Sequence, residues 1–148
     1  MRRVTIGIEV LDKVTDEVVD AFGKLLPQLS STAEPLDADA IATLVSSPAV
    51  TVLLARGDGG GIIGTLTLAM FPAPTGLRAW IEDVVVDAAA GRQGAGMALV
   101  REALRLAAAA GARTVDLTSR PARGPAGGLY AKAGFAQRET RVYRYRFS

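Results

Sequence analysis

The chain has 148 residues, the length of a single domain with room to bury a core unaided by staples. Lys and Arg number 17 against 15 Asp and Glu, and an excess of only +2 argues against a nucleic-acid coat. Cysteine and histidine are both absent, which excludes disulfides, thiolate nucleophiles, zinc fingers and His-based acid/base or metal chemistry, and leaves catalysis to Asp, Glu, Tyr, Ser, Thr, Lys, Arg or the backbone.

The N-terminal stretch MRRVTIGIEVLDK is basic, but its apolar run is short and broken by Glu9 and Asp12, so it does not read as a signal peptide. No stretch approaches a membrane span, and a soluble cytoplasmic protein is the expectation. Residues 3–10, RVTIGIEV, are β-branched and alternating and predict a strand. Residues 16–29, DEVVDAFGKLLPQL, repeat apolar side chains at helical spacing after a capping Thr15 or Asp16, with Pro27 blurring the end. Asp37 is placed to cap a second, short helix that Pro48 stops.

Three strands in a row follow: residues 49–56 (AVTVLLAR), 62–71 (IIGTLTLAMF) and 78–87 (RAWIEDVVVD). They are joined by GDGGG and PAPTG, which predict two hairpins, with the prolines ending the pairing. Formally, Gly59, Gly61 and Gly64 spell G-x-G-x-x-G. That fingerprint binds a pyrophosphate only between a strand and a helix, and here it leads into a strand, so a hairpin turn is the reading. A helix over residues 97–112 carries Val100, Leu104 and Ala107 on one face and closes at Gly111. A strand at 113–119, a short helix in 124–134 and a last alternating strand at 138–147 complete the order β-α-α-β-β-β-α-β-α-β. The fold class is α/β (α+β) over one domain, residues 1–148: a mixed central sheet, antiparallel first and βαβ after, flanked by about four helices.

Residues 91–96, GRQGAG, do join a strand to a helix. Gly94 and Gly96 let the backbone approach a ligand, and the unpaired amides at the helix start form a nest for an anion. This loop, following VVVD, resembles the Arg/Gln-x-x-Gly-x-Gly/Ala signature of the GNAT superfamily of acyl-CoA-dependent N-acetyltransferases. Residues 128–135, GLYAKAGF, look like that family's LYxKxGF block, and the two motifs stand in the family's order. Two positions depart from the pattern: Gly91 occupies the Arg/Gln position, with Arg92 one place later, and Arg123 stands where many relatives carry an Asn that contacts the cofactor.

The resemblance implies acetyl-CoA as cofactor, no metal, and a GNAT-like sheet. It implies pyrophosphate binding by the backbone of Gly91, Arg92, Gln93, Gly94, Ala95 and Gly96, with Arg92 as charge partner and Arg123 nearby. The main chain of Val84, Val85 and Val86 would pair with the pantetheine arm like an added strand. Tyr130 matches the tyrosine that in many relatives lies beside the cofactor sulfur, which makes it the general acid. Acidic residues near Glu82 often serve relatives as base, directly or through water. Plain strand alternation would put Trp80, Glu82, Val84 and Val86 on one face and Ile81, Asp83, Val85 and Asp87 on the other, so that a single carboxylate of the pair faces a given cavity. Glu82 is the expected catalytic base, and Asp83 and Arg120 are expected to bind substrate. Lys132 reads as surface and Phe135 as core.

The expected reaction is acetyl transfer to a primary amine of a small molecule, by direct attack in a ternary complex. The WIEDVVVD strand also looks like that of glucosamine-phosphate N-acetyltransferases, and Arg120 and Arg123 would suit a phosphosugar. Alternatives are a peptide or protein N-terminal or lysine acetyltransferase, and a non-catalytic acyl-CoA-binding sensor. The arginines of RETRVYRYRF interleave with aromatics, yet strand alternation accounts for them without a nucleic acid. No nucleic-acid or membrane partner is expected; a homodimer through the last strand is compatible with relatives.

Overall fold

The computed structural model describes residues 5–91, 93–119 and 126–147; of Ala126 and Gly127 only the backbone is described. In chain order the elements are β1 (Gly7–Val10), α1 (Asp16–Leu29), α2 (Ala38–Ser46), β2 (Val50–Arg56), β3 (Ile62–Ala73), β4 (Gly76–Val86), a 3-10 turn (Ala88–Ala90), α3 (Ala95–Ala109), β5 (Thr114–Asp116) and α4 (Ala126–Lys132). The strands form one sheet in the order β1-β2-β3-β4-β5. The first three pairings are antiparallel and β4 to β5 is parallel, across the helix α3.

Local chemistry sets the boundaries. Thr15 caps α1 by accepting from the Val18 amide at 3.2 Å, and Asp37 caps α2 by accepting from the Ala40 amide at 2.8 Å. At the end of α3, Gly111 takes φ +86°, its amide donates to Ala108 O and the Ala112 amide to Ala107 O, the paired bonds of a Schellman stop. Gly134 ends α4 the same way, with the Phe135 amide donating to Tyr130 O at 2.9 Å. Contrary to expectation, the prolines do not end the β3–β4 hairpin: Pro72 pairs with Leu77 and Ala73 with Gly76. Pairing between β2 and β3 has already stopped at Val50 and Ala69, so the missing amide of Pro72 falls on an open strand edge.

Helix α3 lies on one face of the sheet, where Leu99, Val100, Ala103 and Ala107 meet Leu53, Ala55, Leu66, Leu68, Ala79 and Ile81 in one buried cluster. Leu129, Tyr130 and Phe135, in and just beyond α4, pack against the same cluster. Helices α1 and α2 cover the opposite face, with Val18, Phe22 and Ile41 against Val52 and Leu54. Arg56 fastens this layer at its rim, its guanidinium meeting Glu9 of β1 and both carboxylate oxygens of Glu17 of α1 at 2.9 Å.

The last predicted strand is not formed among the described residues. Residues 136–147 are all exposed and carry no strand. Val142, Tyr143, Tyr145 and Phe147 stand 71 to 88% accessible. Alternation alone does not make a strand, because a strand needs an edge to pair with.

Candidate functional site

The site starts from an irregularity in β4. Glu82 lies opposite Thr67 of β3, but Val85 lies opposite Thr65, so β4 carries one residue more than its partner over this span. Asp83 is that extra residue, with φ +51°, the described residue other than glycine that has positive φ. This is a β-bulge, and it costs about 1 to 3 kcal/mol of local strain that the surrounding sheet must hold. Its consequence overturns simple alternation. Below the bulge Ala79 and Ile81 face α3, and above it Val84 and Val86 do. Trp80 and Glu82 therefore share a face with Val85 and Asp87, the face that α1 covers.

A second irregularity opens the sheet. Pairing of β4 with β5 runs over Arg78–Trp80 against Thr114–Asp116 and goes no further. Past that point the two strands border a cleft of about 370 Å³, with Ile81, Glu82, Asp83 and Val84 on one wall and Leu117, Thr118 and Ser119 on the other. Tyr130 of α4 and Leu29, the last residue of α1, complete the lining. Both residues of the Glu82–Asp83 pair thus line the cleft, where alternation had allowed one to face it.

Tyr130 is half-buried, its ring edge-on to Phe135 at 5.9 Å and 79°. Burial pushes its phenol above the ordinary tyrosine range, which keeps the hydroxyl protonated at neutral pH. Lys132, two residues along α4, is exposed as expected.

Beyond the cleft, β4 leads to the glycine loop. Asp87, only 6% accessible, is where the chain turns. Its carboxylate accepts from the Ala89 amide at 3.0 Å and from Gln28 Nε2 at 3.2 Å, and Lys24 Nζ lies 3.0 Å away. The hydrogen bond from Lys24, then those from Ala89 and Gln28, hold the Asp87 carboxyl below the usual carboxylate range. Gln28 also accepts from the Ala88 amide at 2.9 Å, so α1 grips the start of the loop with two residues. Sequence reasoning passed over this clasp, whose signal was an Asp closing a strand before a run of small residues.

Gly91 sits at φ +71°, ψ −159°, and Gly94 at φ +83°, ψ 15°, where it caps α3. The first helical bond of α3 among the described residues runs from the Ala98 amide to Gly94 O at 3.1 Å, and the amides of Ala95, Gly96 and Met97 have no helical acceptor among those residues. Such donors at the positive end of a helix suit an anionic group. A Cβ on Gly96 would come within 3.3 Å of Leu129 Cδ2, so Gly96 brings α4 close to the start of α3. Gln93 turns its side chain back onto the protein. Its Nε2 donates to Ala90 O at 2.6 Å and its Oε1 accepts from the Asp58 amide at 3.2 Å. Arg92, Arg120 and Arg123 lie outside the described residues.

The structure thus brings Glu82, Asp83, Val84 and Tyr130 to one cleft, and places Val86, Gly94, Ala95 and Gly96 along a continuous path from it. Leu29, Leu117, Thr118 and Ser119 join the lining unannounced by any motif. Among the described residues, no group of three or more acidic side chains could hold a metal ion, and no helix is long and apolar enough to cross a membrane.

Comparison with known proteins gives this arrangement a family. No curated protein matches the sequence. Among solved structures, the chain is similar to glucosamine-6-phosphate N-acetyltransferase from Arabidopsis thaliana (TM-score 0.79, 20% identity, covering 95% of this chain and 98% of that one). It is similar also to an aminoglycoside acetyltransferase from an uncultured soil metagenomic sample, solved with sisomicin (TM-score 0.76, 20% identity, covering 97% and 96%). A third is the ribosomal-protein-alanine N-acetyltransferase from Brucella melitensis biovar Abortus 2308 (TM-score 0.74, 22% identity, covering 97% and 100%). At such identities the likeness is one of fold. The sequence model of the acetyltransferase (GNAT) family matches residues 11–135, most of the chain, and it spans both the glycine loop and the cleft. The chain therefore belongs to the acetyltransferase (GNAT) family and is an acyltransferase of that family.

Proposed function

We propose that the chain is an N-acetyltransferase that moves an acetyl group from acetyl-CoA to a primary amine of a small molecule, by direct attack within a ternary complex. One observation supports this above others: a proton donor, Tyr130, and a carboxylate pair, Glu82 and Asp83, line the same cleft. The family generally uses acetyl-CoA, and the residues present fit it. The β4 edge is unpaired with β5 past Trp80, and the first amides of α3, which follows β4 in the chain, have no helical acceptor among the described residues. In this reading the main chain of Val84, Val85 and Val86 holds the pantetheine arm, and amides from Gly91 to Gly96 hold the pyrophosphate, with Arg92 and Arg123 as candidate charge partners. When bound, acetyl-CoA supplies the acyl group already activated as a thioester.

The chain's own groups then do three things. An amide of the β4 edge donates to the acyl oxygen as negative charge gathers there. Asp83 holds the incoming ammonium and Glu82 takes one proton from it, which frees the nitrogen lone pair to form its bond to the acyl carbon. Tyr130 gives its proton to the sulfur as the carbon–sulfur bond breaks, and the second proton that the nitrogen sheds restores the phenol. A wall with two carboxylates favours a cationic amine on approach, which suits an amine substrate better than an anionic acceptor. The phosphosugar suggestion rests on the WIEDVVVD strand and on Arg120 and Arg123, and the two arginines lie outside the described residues.

The decisive experiment measures thiol release from acetyl-CoA against a panel of amines: an aminoglycoside, an amino sugar phosphate and a short peptide with a free N-terminus. Turnover on a small amine is expected. Binding of CoA without turnover on any amine would turn the reading to a sensor, and turnover on the peptide alone to a protein acetyltransferase. Replacing Glu82 with Gln is expected to slow transfer about tenfold well below the amine's pKa. The deficit should shrink as pH rises and the amine deprotonates unaided; a pH-independent rate equal to wild type would remove Glu82 as base.

We place the homodimer of this reading on the exposed tail. Residues 136–147 present four large apolar side chains to solvent, Val142, Tyr143, Tyr145 and Phe147, which a second copy would cover. Light scattering is expected to give twice the chain mass, and truncation after Ala136 the monomer mass; a full-length monomer would refute it.

A further inference from the structure

We infer that Gln93 is a positioning residue for the cofactor: its side chain fixes the shape of the glycine loop by tying it to the β2–β3 turn on the far side of the sheet edge. The inference rests on the acetyl-CoA reading above and extends it to a residue that makes its side-chain contacts with protein.

The loop has reason to need a brace. Between the clasp at Asp87 and the start of α3 the chain passes through two glycines with positive φ, Gly91 and Gly94, and glycine carries the largest backbone entropy to be lost on ordering. The signature position that would carry a long Arg or Gln side chain is occupied by Gly91. Gln93, two residues on, supplies a long side chain of its own. Its Nε2 donates to Ala90 O at 2.6 Å, closing the loop on itself, and its Oε1 accepts from the Asp58 amide at 3.2 Å, anchoring the loop to the turn between β2 and β3.

That turn is itself rigid. The Gly57 amide donates to Gly61 O and the Gly60 amide to Gly57 O, both at 2.9 Å. Arg56, at the end of β2, donates to Gly60 O at 2.9 Å while it pairs with Glu17 and Glu9. The brace therefore reaches from the loop to an anchored hairpin. With α1 holding the loop's first residues through Gln28 and Asp87, and Gln93 holding its last, the amides entering α3 are set before any ligand arrives. Preset donors bind an anion without an ordering cost.

The arrangement also explains a glycine in the turn. A Cβ on Gly57 would stand 2.9 Å from Gln93 Oε1 and 3.0 Å from Ile63 Cδ1, so a side chain there would push the amide end of Gln93 aside. Gly57 does not lie at positive φ, so alanine fits its backbone, and what it disturbs is the side chains of Gln93 and Ile63.

The test uses the whole chain, with CoA as calorimetric probe and acetyl-CoA plus any accepted amine for kinetics. Gln93→Ala is expected to raise the Kd for CoA and the KM for acetyl-CoA roughly fivefold to tenfold, the loss of one to two hydrogen bonds. At saturating acetyl-CoA, kcat and the amine KM should stay within about twofold, a split that general destabilisation would not produce. Gly57→Ala should weaken CoA binding in the parent chain and weaken it much less in the Gln93→Ala chain, where the Gln93 contact is already gone and only the Ile63 side chain has to give. CoA affinity unchanged by Gln93→Ala, or weakened equally by Gly57→Ala in both backgrounds, overturns the inference. A parent chain that binds no CoA overturns the acetyltransferase reading instead, and is distinguished by that measurement alone.

Discussion

Tyr130→Phe is expected to lower kcat by about two orders of magnitude while leaving the fold and CoA binding in place. The substitution keeps the ring, and the ring makes the structural contacts: the edge-on packing against Phe135 at 5.9 Å and the place against the α3 cluster. Only the hydroxyl is lost. The pH profile separates its role from mere packing. An acid must be protonated to act, and burial raises the Tyr130 phenol above its ordinary value. In the parent chain kcat should therefore hold through neutral pH and fall only as pH rises through that raised value. In the variant this alkaline limb should vanish, leaving a low and flat rate. An unchanged kcat with the limb intact removes Tyr130 as the acid. A melting temperature lowered by several degrees with kcat retained would make it an anchor for α4 and nothing more.

Much of this molecule can be read from its residues, and the exceptions have definite causes. The span of α1, the caps at Thr15 and Asp37, and the stop at Gly111 come from short-range chemistry that a few neighbours decide. The hairpin at 57–61 was equally legible, because a glycine fingerprint that leads into a strand has no helix end to offer a phosphate. What could not be read was long-range. Nothing local marks Asp83 as a bulge, since the extra residue exists only relative to the count in β3. Missing the bulge put Val84 and Val86 on the wrong face and left only one residue of the Glu82–Asp83 pair facing a given cavity. The cleft itself arises because β5 is three residues long while β4 is eleven, a mismatch that alternation within either strand does not reveal. The tail failed for the opposite reason. Residues 138–147 alternate like a strand, but among the described residues no edge pairs with them. Gln93 was read for its backbone amide inside a ligand-binding motif, and nothing local marks its side chain as bonding Ala90 and Asp58.

Gly91→Arg would restore the long side chain of the family signature, and it is expected to harm the protein. At φ +71° and ψ −159°, Gly91 occupies a backbone region that is essentially closed to residues bearing a Cβ. Space is not the obstacle, since a Cβ built there meets nothing within 4 Å. The obstacle is the side chain's clash with its own backbone, so alanine should be nearly as costly as arginine. Either the strain is kept, at about 1 to 3 kcal/mol of stability, or the loop rotates out of shape and spends the energy there. The second response carries the functional cost. It moves Ala90 and Gln93 relative to each other, breaks the 2.6 Å bond between them and shifts the amides that enter α3. Both Gly91→Ala and Gly91→Arg are therefore expected to melt lower than the parent and to bind CoA at least tenfold more weakly. The added positive charge of the arginine should recover part of the affinity relative to alanine at low salt and lose that advantage as salt is raised. The measurement is CoA affinity and melting temperature for both variants at two ionic strengths. If Gly91→Arg binds CoA more tightly than the parent and melts no lower, the loop tolerates a side chain at this position. Gly91 would then be a plain loss of a phosphate contact. If both variants fall together, the glycine is what lets this loop keep a shape that Gln93 holds from behind.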